Sequence, residues 1–389
     1  MLPLPTRVQN LEAEAAFTVM ARAQALQAQG KDVINLGIGQ PDFHPPQHVS
    51  EAVNQALADG HHGYTAAPGT IECRQAVSTY IAQHYGVDVA PSRVLITPGG
   101  KMTLSFACLL LGDPGAEFLV PDPGFPTYGV MSQFAGAKLV TYGLDSQNGF
   151  SFTADEIAEK MNEHTRLIIL NSPGNPTGGI NDPAEIAKLL VILKRYPNAY
   201  VLSDEIYSRL SFDGAFESLL TQEGLKDRLI VLDGWSKTYA MTGWRLGWSV
   251  WPENLVEGVT NLAIHMHGCV NAAAQVAGAA ALLGDQSQVE AMRAQYIQRR
   301  DLVFSRLNDI PGVECRKPGG AFYCFPDVSG LGVTGAQAQT ELLEQYGVAT
   351  IAGTSFGPRS VHNLRLSFAT SDHNLTSAID RIAQWAASK

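Results

Sequence analysis

The sequence of 389 residues has little charge, few cysteines and no long apolar run, and each shortage excludes a class of protein. No apolar run approaches the roughly 18 residues of a membrane-spanning helix, and Met1–Asn10 contains no apolar core of a secretory signal. The five cysteines are scattered without a Cys-x-x-Cys pair, which argues against a disulfide framework or a zinc knuckle and favours a reducing compartment. A net charge of -10 is unfavourable for binding nucleic acid or an anionic membrane surface. We therefore expect a soluble, cytoplasmic enzyme that acts on small molecules and has no metal site.

What the sequence does have is a regular alternation of strand and helix patterns. The predicted strands are Val94–Thr97, Glu117–Pro121, Lys138–Tyr142, Arg166–Asn171, Ala199–Ser203, Leu229–Asp233 and Leu246–Val250. The predicted helices between them are Lys101–Leu111, Pro126–Phe134, Thr153–Met161 and Asp182–Tyr196. This alternation is typical of an α/β fold with a mostly parallel sheet and helices on both faces. Ligands of such sheets bind at the carboxyl ends of the strands.

The last part of the chain mixes helices with short strands and predicts a second, smaller α+β domain. Its predicted elements are helices Gln286–Asn308, Thr334–Gln345 and Asp372–Ser388, a strand–turn–strand unit at Pro311–Pro326, and strands near Val348–Ile351 and Asn363–Ala369. A predicted N-terminal helix, Glu12–Gln29, could pack with this domain. We expect an N-terminal arm and helix (1–45), a large domain (46–285) and a small C-terminal domain (286–389).

Five turns at the predicted carboxyl edge of the sheet carry residues suited to chemistry. After the first strand, Gly99 and Gly100 precede a helix, where free backbone N–H groups suit a phosphate. The other four turns present Phe125, Asn175, Asp204 with Tyr207, and Ser236-Lys237 followed by Arg245. Each of these alone has an ordinary explanation as a turn glycine, a core ring or a satisfied polar group. Their occurrence together at one edge indicates an active site.

Lys237 is the residue on which this interpretation depends. Its aromatic and apolar neighbours in the sequence are Trp235, Tyr239, Met241 and Trp244. Poor solvation lowers the pKa of a lysine, toward roughly 7–8 in catalytic cases, and a neutral amine can form a Schiff base with a carbonyl. Asp204 could keep a pyridine nitrogen protonated, which makes the ring an electron sink. Arg245 could neutralise a phosphate.

Longer motifs extend this pattern over most of the chain. They are Gly39-Gln-Pro-Asp-Phe43, Tyr64 with Pro68-Gly69, Thr97-Pro-Gly-Gly-Lys101, Asn171-Ser-Pro-Gly-Asn-Pro-Thr-Gly178, Ser203-Asp-Glu-Ile-Tyr207, Ser236-Lys237 with Gly243-Trp-Arg245, Gly319-Gly-Ala-Phe-Tyr323 and Leu364-Arg-Leu-Ser-Phe368. From Arg7 to Ala386 the chain resembles the fold-type I, pyridoxal-phosphate-dependent aminotransferases of the aspartate aminotransferase class. The resemblance implies the fold of that class, with a seven-stranded, mostly parallel sheet. It also implies pyridoxal 5'-phosphate as cofactor and a homodimer with shared active sites.

The same resemblance implies roles for residues around the cofactor ring. Lys237 would form the Schiff base with the cofactor and then move the substrate's α-proton. Asp204 would pair with the protonated pyridine nitrogen. Tyr207 and Asn175 would hydrogen-bond the phenolic oxygen of the ring, and Phe125 would stack on it.

Further roles concern the phosphate and the substrate. The phosphate would be bound by Gly100 and Lys101 through backbone N–H groups, by Ser236 and Arg245, and by Tyr64 of the other subunit. The substrate side of the pocket would include Gly39, Asn175, Arg365 and Lys101. Arg365 would bind the α-carboxylate bidentately, and Gly39 would contact that carboxylate through its backbone. Lys101 matches a lysine that reaches the distal carboxylate in some dicarboxylate-specific relatives.

Two departures from the family pattern bear on function. Gly234 and Trp235 stand where relatives often have Ser or Thr, so one hydroxyl for the phosphate would be missing. The segment His265–Asn271 replaces a Ser- and Thr-rich motif near the dimer-facing wall of the pocket. Together with Phe125 it permits an aromatic or larger aliphatic donor, whereas Lys101 favours a dicarboxylate such as aspartate.

The expected reaction is a ping-pong transfer from an L-amino acid to a 2-oxo acid, with 2-oxoglutarate as the acceptor by family expectation. The same cofactor would also support a β C–S lyase, an aminocyclopropane carboxylate synthase-like lyase or an oxidase. A cofactor-binding regulator without catalysis is a further alternative. Regulators of this fold usually have an added DNA-binding domain, whereas this acidic sequence begins close to the aminotransferase start.

Overall fold

The computed structural model describes Val8, Leu11 and residues 13–389, and the elements below belong to this part of the chain. The predicted arm (1–45) and the predicted first helical residue, Glu12, therefore lie partly or wholly outside the described residues. The helices are α1 (Ala15–Ala28), α2 (Gln47–Ala58), α3 (Ile71–Tyr85), α4 (Gly100–Leu111), α5 (Thr127–Phe134), α6 (Ala154–Lys160), α7 (Pro183–Leu193), α8 (Trp235–Thr238), α9 (Glu253–Met266), α10 (Ala272–Leu283), α11 (Ser287–Asn308), α12 (Gly335–Tyr346) and α13 (Asp372–Ala386). The strands are β1 (Ile34–Asn35), β2 (Val94–Thr97), β3 (Glu117–Asp122), β4 (Lys138–Gly143), β5 (Thr165–Asn171), β6 (Tyr200–Asp204), β7 (Leu229–Gly234), β8 (Gly247–Val250), β9 (Tyr323–Cys324), β10 (Val348–Ala349), β11 (Ile351–Ala352) and β12 (Leu364–Ser367).

The central element of the described chain is a seven-stranded sheet with the order β2-β8-β7-β6-β5-β3-β4. The neighbours from β7 to β4 pair in parallel, and β8 runs antiparallel to both β2 and β7. The predicted α/β fold with a mostly parallel sheet is confirmed. Each predicted strand of this sheet is present, because short apolar and β-branched runs between turns are a strong local signal.

Both faces of this sheet are buried, since successive residues of a strand point to opposite sides. In β5, Leu167 and Ile169 join the apolar cluster on one face, and Ile168 and Leu170 join the cluster on the other. Residues of α4, α5 and α9 complete the first cluster, and residues of α3, α6, α7 and α10 complete the second. The carboxyl edge of the sheet is therefore the place where polar groups can meet a ligand.

The sequence predictions omitted the helices α2, α3, α9 and α10. The reason is clearest for α10, in which Ala273, Ala274, Ala277 and Ala281 are buried along with Gln275 and Leu282. A helix buried on most sides shows no apolar stripe against a polar background, so the usual periodic signal is weak. Within the described residues, every helix is too short or too polar to cross a bilayer.

The C-terminal part contains a three-stranded antiparallel sheet, β11-β12-β9, and β10 pairs in parallel with β1. Two predictions are wrong here. In the predicted strand–turn–strand unit Pro311–Pro326 only β9 forms, and the first predicted strand is reduced to an isolated antiparallel bridge between Glu314 and Asp327. Pro311 and Pro318, on either side of Glu314, have no N–H to donate, and Gly312 has a positive φ of 83°. The predicted strand Val348–Ile351 is divided between β10 and β11, which pair in different sheets.

Helix α1 packs against this C-terminal part of the chain. Its buried residues Val19, Ala23 and Leu26 share an apolar cluster with Phe325 and Phe356, among others. This packing directs the start of α1 toward the carboxyl edge of the large sheet, where Glu14 contacts Lys101.

Candidate active site

The carboxyl ends of five strands carry the predicted site residues along one edge of the sheet. Gly100 and Lys101 follow β2, Phe125 follows β3, Asn175 follows β5, Asp204 ends β6 with Tyr207 beyond it, and Ser236, Lys237 and Arg245 follow β7. Gly39 and Arg365 reach the same place from the segment after β1 and from β12. Parallel strands end at one edge, so residues far apart in the sequence become neighbours.

Lys237 lies in the short helix α8, directly after β7. Its Nζ donates a hydrogen bond to the carbonyl oxygen of Gly39 at 2.6 Å and lies 5.7 Å from the ring centre of Phe322. Removal of the amine from water lowers the pKa of Lys237 to about 7, and the positive charges of Arg365 and Arg245 act in the same direction. The lowered pKa was expected from the sequence.

The immediate surroundings of Lys237 differ from those expected. Trp235, Tyr239 and Met241 belong to the apolar core on one face of the sheet. Trp235 is fully buried, and its indole N–H donates to the carbonyl oxygen of Gly278 at 2.8 Å. The aromatic ring beside the amine is instead that of Phe322, from the C-terminal part of the chain.

Asp204 is a buried carboxylate at the end of β6. The hydroxyl of Tyr128 donates to its Oδ2 at 2.6 Å, and the backbone N–H of Ile206 donates to its Oδ1 at 3.3 Å. Burial raises the pKa of Asp204 to about 6, although these two hydrogen bonds and the nearby Lys237 oppose the shift. Glu205 points the other way, and its carboxylate accepts a hydrogen bond from Ser218.

Arg365 lies at the bottom of a second part of the site, which adjoins the first. Its Nη1 donates to Oδ1 of Asn175 at 2.8 Å, and its Nη2 donates to the carbonyl oxygen of Gly37 at 2.6 Å. Its Nε is buried and has no hydrogen-bond partner among the described residues. A buried guanidinium N–H without an acceptor is costly, so this donor is suited to a bound carboxylate.

Two tyrosines connect the surroundings of Asp204 with Arg365. The hydroxyls of Tyr207 and Tyr323 are hydrogen-bonded at 2.8 Å, and both side chains are buried. The guanidinium of Arg365 lies over the ring of Tyr323, 4.5 Å from its centre. A Cβ at Gly39 would overlap the hydroxyl of Tyr323, so only glycine allows the chain to approach this closely.

Gly99, Gly100 and Arg245 form a cationic turn beside the site. Gly99 has a φ of 88°, and a Cβ there would collide with the guanidinium of Arg245. Arg245 itself has a left-handed φ of 55°, and its Nη1 donates to the carbonyl oxygen of Thr242 at 2.8 Å. Since α4 begins at Gly100, its free N–H groups add to the positive potential of this turn. Ser236, which directly precedes Lys237, is buried in α8.

Lys101 and Phe125 form the rim of the site. Nζ of Lys101 lies 5.2 Å from the ring centre of Phe125 and forms an ion pair with Glu14. The ring of Phe125 meets that of Tyr128 edge to face, with 5.6 Å between the centres.

Tyr64 is the predicted site residue that the single chain does not bring to the site. Its side chain is fully exposed, and no side-chain hydrogen bond of Tyr64 is formed within the described residues. The same part of the chain contains no cluster of three or more His, Cys, Asp or Glu side chains that could hold a metal ion.

Sequence reasoning missed four residues that contact this site, of which Phe322 lies beside the amine of Lys237. Tyr128 is the second residue of α5 whereas Phe125 precedes that helix, so helical spacing gives no signal that the two rings meet. Tyr323 ends the motif Gly319-Gly-Ala-Phe-Tyr323, but the sequence alone does not indicate that its hydroxyl meets that of Tyr207. Glu14 has no local signal, because its partner Lys101 is 87 positions away.

Comparison with known proteins shows the family of the chain. A family model described as aminotransferase class I and II matches residues 31–382. An aspartate aminotransferase of Pyrococcus horikoshii is 38% identical over 354 residues, covering 90% of each chain. The crystal structure of the aspartate aminotransferase from Rhizobium meliloti superposes with a TM-score of 0.95 at 33% identity, covering 100% of this chain and 99% of that one.

An enzyme with a different stated donor class has nearly the same fold. The aromatic aminotransferase from Pyrococcus horikoshii superposes with a TM-score of 0.89 at 31% identity, covering 95% of this chain and 99% of that one. The similarity in sequence and fold extends over nearly the full length of these relatives, which are named for different amino donors. The chain is therefore an enzyme that belongs to the class I and II aminotransferase family.

Proposed function

We propose that this enzyme transfers the amino group of an L-amino acid to a 2-oxo acid, 2-oxoglutarate by family expectation, in a ping-pong reaction with pyridoxal 5'-phosphate. The proposal depends on two ionisable side chains with shifted pKa values, which lie at the ends of the neighbouring strands β7 and β6. The pKa of Lys237 is lowered to about 7, and the pKa of Asp204 is raised to about 6. A buried amine and a buried carboxyl with such pKa values are typical of a site that moves protons near neutral pH.

The described residues fit pyridoxal 5'-phosphate at two points and its amino-acid substrate at a third. Gly99 allows the guanidinium of Arg245 to approach the N-terminus of α4, which suits a phosphate. The buried carboxylate of Asp204 suits a pyridinium N–H, and the partnerless Nε of Arg365 suits the α-carboxylate of an amino acid. When bound, the cofactor would supply an aldehyde for the amine and a ring that stabilises negative charge at the substrate Cα.

Lys237 is the proposed acid and base of the reaction. With a pKa of about 7, a large fraction of its Nζ is neutral at physiological pH and can accept the α-proton of the substrate. The same Nζ, once protonated, can return the proton to a different carbon. The carbonyl oxygen of Gly39 holds this Nζ beside the segment that would contact the substrate carboxylate.

Four other side chains would hold or orient the pyridine ring of the cofactor. Asp204, fixed by the hydroxyl of Tyr128, would keep the pyridine nitrogen protonated. Tyr207 and Asn175 would donate hydrogen bonds to the phenolic oxygen, and Phe125 would stack on the ring. The hydrogen bond of Tyr207 to Tyr323 supports a fixed direction for its hydroxyl.

Charged side chains and backbone groups are proposed to bind two anions, the α-carboxylate of the substrate and the phosphate of the cofactor. Arg365 would bind the α-carboxylate of the substrate, with Gly39 and Asn175 beside it. The proposed phosphate ligands are Gly100, Lys101, Ser236, Arg245 and Tyr64 of a second subunit.

We propose a homodimer because the residue expected to complete the phosphate site, Tyr64, is fully exposed. Leu57, Ile71 and Leu283 are also exposed, and they lie on helices α2, α3 and α10, which pack together through α10. Mixed refolding of Lys237→Ala with Tyr64→Ala tests the arrangement. If Tyr64 serves the partner's site, each hybrid dimer has one intact site and activity returns. If Tyr64 serves its own chain, no intact site forms and activity stays absent.

The division of the chain into an arm (1–45), a large domain (46–285) and a small domain (286–389) also remains a proposal, supported by the separate apolar clusters of the sheet and of the C-terminal part. We further propose that the enzyme works in the cytoplasm, which is consistent with five free cysteines in the described residues.

The direct test of the reaction is a panel of amino donors, including aspartate and aromatic amino acids, incubated with 2-oxoglutarate and the holoenzyme. Glutamate formed together with the oxo acid of the donor supports the proposal. Pyruvate and ammonia released without any oxo-acid acceptor would instead establish a lyase, and no glutamate from any donor would refute the proposed transfer.

A further inference from the structure

The rim residue Lys101 is already occupied by an acidic partner from the same chain. Its Nζ forms an ion pair with Oε1 of Glu14, and the hydroxyl of Thr127 donates to the same oxygen at 3.3 Å. The ammonium group also lies between two aromatic rings, 5.2 Å from the centre of Phe125 and 6.0 Å from that of Phe17. Lys101 therefore presents a neutralised charge beside apolar surface.

Glu14 forms this contact instead of a local one. It is the N-cap residue of α1, yet its side chain accepts no hydrogen bond from the first turn of that helix within the described chain. A carboxylate near a helix N-terminus is attracted by the positive end of the helix dipole, but the longer side chain of glutamate is not a preferred N-cap. The first turn of α1 contains no other acidic residue to replace it. The hydrogen-bonding capacity of the carboxylate is thus directed to a residue 87 positions away and not to the N–H groups of its own helix.

Lys101 is part of the site and does not merely face solvent. Its positive charge contributes, with those of Arg365 and Arg245, to the lowered pKa of Lys237. The pair is also accessible to a ligand, since 46% of the Lys101 side chain and 24% of the Glu14 side chain remain exposed. A small molecule in the site can therefore meet the Lys101–Glu14 pair.

We propose that Glu14 is a specificity-determining residue that competes with the distal carboxylate of a substrate for Lys101. The inference rests on the proposed function, because it concerns the side chain of an amino acid bound at Arg365. A substrate with an uncharged side chain would leave the Lys101–Glu14 pair intact and contact Phe125. A dicarboxylate would have to displace Glu14 or bind beside a like charge, and both alternatives weaken its binding.

This competition favours donors with an apolar or aromatic side chain over aspartate and glutamate. It still permits 2-oxoglutarate as an acceptor, because Glu14 belongs to the start of α1 and its contact with Lys101 is partly exposed to solvent. The distal carboxylate of the acceptor would take the place of Glu14 on Lys101 at a cost in affinity.

The test measures binding to the holoprotein by titration calorimetry with succinate, a dicarboxylate, and butyrate, a monocarboxylate of equal length. In Glu14→Gln, Lys101 loses its internal partner, and the affinity for succinate relative to butyrate should increase about fivefold. Glu344→Gln is the matched control, since Glu344 pairs with Arg22 of the same helix α1 at 2.7 Å. The control should leave the affinity ratio unchanged.

A second pair of variants shows whether the effect acts through Lys101. In a Lys101→Met background, Glu14→Gln should no longer increase the succinate-to-butyrate ratio, because no cation remains to compete for. An unchanged or lower ratio in Glu14→Gln alone would overturn the inference, as would an increase that persists without Lys101. Failure of the wild-type enzyme to form glutamate would refute the proposed function, whereas the binding ratio tests Glu14 independently.

Discussion

Two lysines of this site, Lys237 and Lys101, lie in opposite environments. The amine of Lys237 is removed from water, faces the positive charges of Arg365 and Arg245, and has a pKa lowered to about 7. Lys101 keeps 46% of its side chain exposed and pairs with Glu14. The proposed proton transfer would thus occur at a lysine whose positive charge is unfavourable, and the proposed selection of the substrate side chain at a lysine where one negative partner can replace another. This difference predicts which substitutions abolish the reaction and which ones alter substrate preference.

The largest effect is expected for Lys237→Ala, which removes the proposed acid and base. Glutamate formation should fall by at least about 10³-fold, the upper part of the range for a positioned proton-transfer group. Lys101→Ala should lower turnover by no more than about tenfold with a donor that has no distal carboxylate. Initial rates of both purified holoenzymes measure the contrast. Similar losses of turnover in the two variants would contradict the claim that Lys237 transfers protons whereas Lys101 only selects the substrate side chain.

A second contrast uses the adjacent acids Asp204 and Glu205, which point to opposite sides of β6. Asp204→Asn keeps the shape but cannot stabilise a pyridinium charge, and turnover should fall about 10²-fold. Glu205→Gln should change turnover less than about threefold, because its carboxylate contacts Ser203, Ser218 and the N–H of Leu219. Its effect should instead appear as a lower midpoint in thermal unfolding. Equal losses of turnover would mean that the face of the strand does not determine the role.

The surroundings of Lys237 and those of Lys101 also differ in how far the sequence could predict them. Lys237, Asp204 and Asn175 each follow a buried strand, and parallel strands end at one edge, so local patterns were enough to place them together. The contact of Glu14 with Lys101 depends on how α1 packs on the C-terminal part, and no local pattern encodes that packing. The same holds for Phe322, which replaces the expected tryptophans beside Lys237. In Pro311–Pro326, the first predicted strand is reduced to an isolated bridge at Glu314, between two prolines that cannot donate a backbone hydrogen bond.

An intermediate effect is expected for Arg365→Lys, because Arg365 lies near Lys237 but is proposed to bind the substrate. The three N–H groups of a lysine diverge from one nitrogen, so they cannot reproduce the spaced, planar donation of Arg365 to Asn175, Gly37 and a substrate carboxylate, and the planar contact with the ring of Tyr323 is lost. The KM for an amino donor should increase about 30-fold, with a smaller change in kcat. Arg22→Lys, at an exposed pair with Glu344, is the control and should leave KM unchanged. A loss confined to kcat would contradict the role in carboxylate binding.

The smallest effect concerns stability and tests the burial of Lys237 without any substrate. In cofactor-free protein its pKa is lowered from 10.5 to about 7, so between these values the unfolded chain holds a proton that the folded chain has released. The contribution of Lys237 to stability therefore increases with pH across this window and is lost as the pH falls toward about 7. Relative to Lys237→Met, the thermal midpoint of the wild type should rise by about 3 °C between about pH 7 and pH 9. Lys237→Arg keeps its charge throughout and should show no such rise. A wild-type difference that stays constant over this range would mean that the amine is as well hydrated as a surface lysine, and the contrast with Lys101 would then lose its physical basis.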